Sequence, residues 1–283
     1  MSKIISGVSL SQEIKSKMKE EVKQLVKIFN RPPHLAVICV GDNPASISYV
    51  KGKEKDCLEV GIKATTIHLD EKVSEKTLLD LIKSLNEDRT VDGILVQLPL
   101  PKTIDEQKVL DFIAPMKDVD GFHPNNVASL YLKRTSIQPC TPKGVIKLLK
   151  SENINLEGVN ACVIGRSNIV GMPLAKMLLD ENATVTICHS KTKNLEEITK
   201  CADLIISCVG KPKFIKASMV KDGCVVIDVG VNRLNGKLCG DVDFDEVSKK
   251  ASYITKVPGG VGPMTRCCLL ENTILTFKLN NKI

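Results

Sequence analysis

Val163-Ile164-Gly165-Arg166-Ser167-Asn168-Ile169-Val170-Gly171-Met172-Pro173 is the stretch on which the reading of the fold turns. A short apolar run ends at Gly165, a polar turn follows, and Gly171 opens a helix-like segment over Pro173–Leu179. A strand, a tight turn and a helix start in that order aim free backbone N–H groups at one point, where a phosphate can sit. Arg166 is the first base after the strand. A guanidinium there suits an additional phosphate better than a bare ribose.

Outward from this turn, the pattern repeats. Strands are predicted at Val159–Ile164, Thr184–Cys188, Leu204–Cys208 and Cys224–Val229, with helical segments between them. Such alternation implies parallel pairing with right-handed crossovers, so this half is Rossmann-like. A fold of this kind that is specific for NAD places an Asp or Glu roughly 20 residues beyond the glycine turn. Here the chain reads Cys188-His189-Ser190-Lys191 instead. An acid would repel a 2′-phosphate, whereas Ser190 can donate to one and Arg166 can pair with it. Gly165, Arg166, Ser167 and Ser190 are therefore candidate cofactor residues, with NADP favoured over NAD. The next two strand ends, Val209-Gly210-Lys211-Pro212 and Asp228-Val229-Gly230-Val231-Asn232, put glycines where strands leave the sheet. Ligands in open α/β sheets lie outside those ends, so Val209, Gly210, Gly230 and Val231 join the set.

The first half alternates as well. Leu10, Ile14, Met18, Val22, Leu25 and Phe29 recur at helical spacing over Ser9–Phe29. Strands are expected at Leu35–Val40, Lys63–Leu69 and Asp92–Leu98, and helices at Pro44–Val60 and Ser74–Asn86. The punctuation Gln138-Pro139-Cys140-Thr141-Pro142 marks a boundary near residue 140, with Thr141 capping a helix that has Pro142 at its first position. The reading is an α/β protein of two lobes: residues 1–139 form an N-terminal α/β catalytic lobe, and residues 140–263 a Rossmann-like lobe. A final helix over Pro263–Lys278 returns to pack on the first lobe.

Composition narrows the function classes. With 283 residues, 43% hydrophobic and 26% charged, the chain reads as globular and long enough for two lobes. No apolar run approaches the roughly 20 residues of a membrane span, and the N-terminus lacks a secretory pattern, which points to the cytoplasm. Eleven cysteines without a C-x-x-C read as free thiols, with Cys39, Cys162, Cys188, Cys208 and Cys224 inside strand-like runs. Four scattered histidines give no metal pattern. The charge of +7 comes without basic blocks interleaved with aromatics, which make up only 3%, so nucleic acid is not the expected partner. Lys15, Lys19 and Lys23 read as solvated helix faces. A mild positive field favours anionic small molecules.

A second constellation lies in the first half. Tyr49 and Lys53 are four apart on a predicted helix and share a face, while Lys51 and Lys55 point elsewhere. Gln97 ends the strand before Leu98-Pro99-Leu100-Pro101. Lys117-Asp118-Val119-Asp120-Gly121-Phe122 is an acid-bearing turn in which both aspartates suit caps, and Asp120 also suits the N–H donors of a heterocycle. Pro258-Gly259-Gly260-Val261-Gly262-Pro263-Met264-Thr265 is a rigid loop before the last helix.

Together these blocks resemble the bifunctional methylenetetrahydrofolate dehydrogenase/cyclohydrolases. The resemblance rests on S-x-x-Y-x-x-x-K from Ser46 to Lys53, Q-L-P-L-P from Gln97 to Pro101 and K-D-V-D-G-F. It is carried further by P-C-T-P-K-G from Pro139 to Gly144, by the Val163–Pro173 stretch and by P-G-G-V-G-P-M-T, in the family's order over nearly the whole chain. At this length the extra domain of trifunctional relatives is not expected. The resemblance implies a folate cleft between the lobes and a homodimer, with NADP as cofactor and no membrane or nucleic-acid partner. It implies that Lys53 is the key group of hydrolysis, that Gln97 holds Lys53, that Tyr49 stacks on the folate and that Asp120 anchors the pterin. It further implies folate contacts from Ser46, Leu98, Pro99, Pro258, Gly259, Gly260 and Val261. Arg266 departs from the small or apolar residue usual after that last motif. Two alternatives are a dehydrogenase for another small substrate and a non-catalytic NADP-binding module. Neither needs the Lys53, Gln97 and Asp120 set.

Overall fold

The computed structural model describes residues 2–134 and 137–283. In chain order its elements are β1 (Lys3–Ile5), α1 (Gly7–Phe29), β2 (His34–Val40), α2 (Pro44–Val60), β3 (Lys63–Leu69), α3 (Glu75–Glu87), β4 (Gly93–Val96), α4 (Glu106–Phe112), α5 (Pro124–Tyr131) and α6 (Cys140–Ser151). There follow β5 (Asn160–Ile164), α7 (Gly171–Asp180), β6 (Thr184–Cys188), α8 (Leu195–Lys200), β7 (Leu204–Ser207), β8 (Val225–Asp228), β9 (Asn232–Leu234), β10 (Lys237–Cys239), α9 (Phe244–Val247), β11 (Tyr253–Thr255) and α10 (Val261–Asn280).

The chain divides into two compact units. One holds Met1–Gln12 and Thr141–Thr265, the other Glu13–Cys140 and Arg266–Ile283. The expected first lobe began at residue 1, yet residues 1–12 group with the other series. The reason is β1, which pairs in parallel with β11 and extends that sheet, with Lys3 opposite Tyr253 and Ile5 opposite Thr255. Three residues with no turn signal of their own carry too little periodicity to announce a strand.

The first unit is built on a six-stranded sheet in the order β1-β11-β8-β7-β5-β6. Every pairing in it is parallel. Its inner strands β5, β7 and β8 are short and largely apolar because both faces are covered. Cys162, Ile164, Ile205, Val226 and Ile254 lie in one buried cluster. The expected thiols Cys39, Cys162, Cys188 and Cys224 are free and buried, and Cys208 is free and half-buried.

The second unit carries a parallel three-stranded sheet, β3-β2-β4. All seven residues of β2 are buried, as a central strand requires. Helix α1 turns Met18, Val22 and Leu25 inward. Helix α3 is capped by the Ser74 hydroxyl, which accepts from the Thr77 N–H at 3.1 Å. Within this unit, α10 sets Phe277 edge-on against Phe29 at 5.2 Å, and Asn272 donates to the carbonyls of Val119 and Gln138, each at 2.8 Å.

Helix α6 begins at Cys140, so Thr141 lies inside it rather than at the cap. Its hydroxyl meets that of Thr265 at 3.0 Å. Lys15 is not a solvated residue: its ammonium donates to Asp56 at 3.0 Å and to Glu59 at 2.6 Å.

Candidate functional site

Helix α2 leaves β2 through a tight turn. Asn43 closes its first turn, with the Asn43 side-chain oxygen accepting from the Ser46 N–H at 3.2 Å. One and two turns on, the i,i+4 spacing puts Tyr49 and Lys53 side by side, the ammonium 5.7 Å from the ring centroid. Ser46 is buried in the first turn.

Lys53 is only 7% exposed and, among the described residues, has no ion-pair partner. Its Nζ donates to Oε1 of Gln97 at 3.0 Å. Gln97 is held at both ends: its backbone N–H donates to the Ile38 carbonyl at 2.8 Å, and its side-chain NH₂ to the Leu98 carbonyl at 2.7 Å. That second bond leaves Oε1 facing the lysine. The Leu98–Pro99 peptide bond is cis. Leu98 is half-buried and Pro99 exposed.

A buried ammonium loses hydration that one amide oxygen does not replace. Burial thus pulls the Lys53 pKa below that of an ordinary lysine, against the opposing pull of the Asp120 carboxylate. Burial likewise pushes the Asp120 carboxyl up to about 6, with Lys53 acting in the other direction.

The turn bearing Asp120 sorts its charges. Lys117 donates to the carbonyls of Leu85 at 2.9 Å and Asp88 at 2.6 Å. Asp118 accepts from the N–H groups of Gly121 at 3.0 Å and His123 at 2.8 Å, and from Asn126 at 2.9 Å. Both residues are consumed by structure, while the Asp120 carboxyl is left to a single thiol neighbour, Cys140. Gly121 has φ of +73°, and a Cβ there would lie 2.7 Å from the backbone of Gln138 and Pro139. No other residue fits that position. Asn272 is the group that sequence reasoning missed here. Its signal was a polar residue inside an otherwise apolar helix face.

In the first unit, the remaining candidates collect at the carboxyl ends of four neighbouring strands. Gly165, Arg166 and Ser167 follow β5, Ser190 follows β6, Val209 and Gly210 follow β7, and Gly230 and Val231 follow β8. A Cβ on Gly171 would meet the Gly165 carbonyl oxygen at 2.2 Å, so strand and helix approach as closely as backbones can. The Ser167 hydroxyl accepts from the N–H groups of Val170 at 3.2 Å and Gly171 at 3.4 Å. Arg166 and Ser190 are exposed.

The loops after β7 and β8 are organised by two buried aspartates, Asp228 and Asp241, to which the sequence reading gave no role. Asp241 accepts from Ser207 at 3.0 Å and from the N–H groups of Val209 at 2.8 Å, Gly210 at 3.2 Å and Lys211 at 2.9 Å. It also accepts from the Asn232 side chain at 2.9 Å. Asp228 accepts from the N–H groups of Gly230, Asp241 and Val242. The N–H groups of Val209 and Gly210 therefore point into the protein. Gly230 is buried and Val231 exposed.

The Pro258–Val261 loop also belongs to this unit. Pro258 follows a cis peptide bond and is exposed, Gly259 is half-buried, and Gly260 and Val261 are buried. A Cβ on Gly7 would lie 1.8 Å from the Gly260 carbonyl oxygen, so the start of α1 is locked under this loop.

Residues 5–120 match the catalytic domain of tetrahydrofolate dehydrogenase/cyclohydrolase, and residues 139–281 its NAD(P)-binding domain. The chain belongs to the tetrahydrofolate dehydrogenase/cyclohydrolase family. It is 54% identical over 284 residues to bifunctional protein FolD of Oceanobacillus iheyensis, covering 100% of this chain and 99% of that one. The crystal structure of the FolD methylenetetrahydrofolate dehydrogenase/cyclohydrolase of Campylobacter jejuni superposes with a TM-score of 0.96 at 53% identity, with both chains fully covered. The Trypanosoma brucei enzyme, solved with NADP and an inhibitor, also gives 0.96, at 36% identity over 100% of this chain and 99% of that one. Family membership accounts for the Rossmann-like sheet and the α/β catalytic unit expected from the sequence.

Proposed function

We propose that this chain oxidises 5,10-methylenetetrahydrofolate to the 5,10-methenyl cation with NADP and then hydrolyses that cation to 10-formyltetrahydrofolate. The observation that carries the reading is the buried Lys53 amine, fixed by Gln97 and lacking a carboxylate partner among the described residues.

Hydride removal leaves a cation shared by the two nitrogens that flank the carbon. It needs placement rather than a strong acid or base. A bound nicotinamide supplies the hydride acceptor. The chain's part is to hold the folate: Tyr49 offers a ring face, and Asp120 offers a carboxyl for the pterin's paired N–H donors. Ser46, Leu98, Pro99 and the Pro258–Val261 loop complete the folate contacts in this reading. Arg166 and Ser190 would receive the 2′-phosphate, which supports NADP over NAD.

Hydrolysis does move protons. Water bonds to the one-carbon centre and gives a proton to Nζ of Lys53, which burial keeps receptive. The carbinol O–H then gives up a second proton as the carbon–N5 bond breaks, and N5 is protonated. One proton is released overall. In this reading Gln97 aims Nζ and Asp120 holds the substrate.

The test is to mix purified protein with methylenetetrahydrofolate and NADP and follow NADPH and methenyl absorbance. NADPH should form, and added methenyltetrahydrofolate should disappear without cofactor. Turnover with NAD alone would overturn the cofactor assignment. A homodimer is proposed as the assembly, which sedimentation checks.

A further inference from the structure

Arg266 opens the part of α10 that belongs to the Lys53 unit. Its Nε donates to Oδ2 of Asp56 at 2.6 Å, and its side chain lies 3.6–3.7 Å from the position a Cβ would take on Gly52, the residue before Lys53. Asp56 is buried and shared, since Lys15 takes its other oxygen at 3.0 Å. The guanidinium is thus moored one turn along α2 from the lysine by a partner that cannot swing away. Its Nη groups have no partner among the described residues.

The charged and titratable groups around Lys53 come from every packed element. Tyr49 and Cys57 lie on its own helix, Cys39 on β2, Asp120 on the turn after β4, Cys140 on α6 and Arg266 on α10. Asp120 is the anion that favours an ammonium here, while the Asp56 carboxylate, one turn on along α2, is taken up by Arg266 and Lys15. Arg266 is the cation of the set and opposes it, acting on both Lys53 and Tyr49.

We infer that Arg266, fixed by Asp56 against the Gly52 turn, is a positioning residue whose stationary positive charge holds Lys53 in its proton-accepting role. The inference rests on the proposed part of Lys53 in hydrolysis. Like charges nearby disfavour one another's charged forms, and Lys53, the buried member of the pair, is poorly screened by salt. A cation placed here supplements burial in offsetting Asp120.

Arg266→Gln removes the charge while keeping a donor for Asp56, and Lys15 still pairs with that carboxylate. The acid limb of hydrolysis against pH should move upward by about half a unit or more. That amounts to about a threefold loss on the limb, with the plateau and the hydride-transfer rate retained. Arg266→Lys should restore the limb. Arg266→Met should move it as Gln does, and it keeps the test alive if the Gln variant folds poorly. A limb that stays in place in both neutral variants overturns the inference, as does a uniform loss of both activities at all pH values. The Lys53→Met protein separates this from failure of the underlying reading. If it retains hydrolysis with the limb unchanged, the role of Lys53 itself falls. If it loses hydrolysis while the Arg266 variants do not shift, only the inference falls.

Discussion

Asp228 and Asp241 interlock: Oδ1 of Asp228 accepts the backbone N–H of Asp241 at 2.9 Å, while Asp241 gathers the N–H groups of the loop after β7. Each carboxylate also occupies the space a side chain would need, at 1.8 Å from a Cβ on Gly240 and 2.0 Å from one on Gly230. The candidate cofactor edge is therefore shaped from behind by buried acids.

Asp241→Ala leaves the buried Ser207 hydroxyl and four part-buried donors without their acceptor. An unpaired buried donor costs about 1–3 kcal/mol, and the part-buried ones less, so the variant should be clearly destabilised. Gly230→Ala should fail similarly through its clash. Thermal unfolding, with and without cofactor, reads the loss. A melting temperature within a degree or two of the parent protein for Asp241→Ala would contradict the role.

Asp120 makes a pH-dependent prediction. In the folded protein burial raises its pKa to about 6, above the 3.8 of an ordinary aspartate. The folded state therefore binds more protons between those values, and stability falls as pH rises through them. Asp120→Asn should be more stable than the parent at pH 7, by on the order of 3 kcal/mol, and the advantage should vanish near pH 4. Melting curves across that window check the sign. The same variant should bind folate poorly.

Lys53→Met should lower hydrolysis by about 100-fold or more and spare much of the hydride transfer. Removing a buried amine should also raise the melting temperature. Parallel assays of the two steps on one preparation decide it. Equal loss of both would make Lys53 a folate-positioning group.

Arg166→Ala should raise the KM for NADP by about tenfold or more, the worth of a charge-assisted pair, and change that for NAD little. The ratio of the two constants is the measurement.

The alternation of strands and helices was legible in the sequence. Helix α2 and strands β3 and β6 run over the expected residues. The Tyr49–Lys53 face was also legible, because helical spacing fixes it, and so was the set of strand ends around Gly165. What escaped was long-range. Lys3–Ile5 becomes a strand only because β11 waits beside it. Lys15 reads as solvent-facing until Asp56 comes opposite. Asp241 lies in a polar run that gives no hint of its five donors. Local pattern specifies an element, but its partners are specified by the chain folding back, and buried polar residues report that only afterwards.

The strand at Lys3–Ile5 makes the nucleotide-type unit discontinuous along the chain. A fragment cut as residues 141–265 would discard the edge of its own sheet and bare the backbone of β11, an open template for aggregation. Anyone dissecting this protein should instead join residues 1–12 to the fragment by circular permutation, or work with the whole chain.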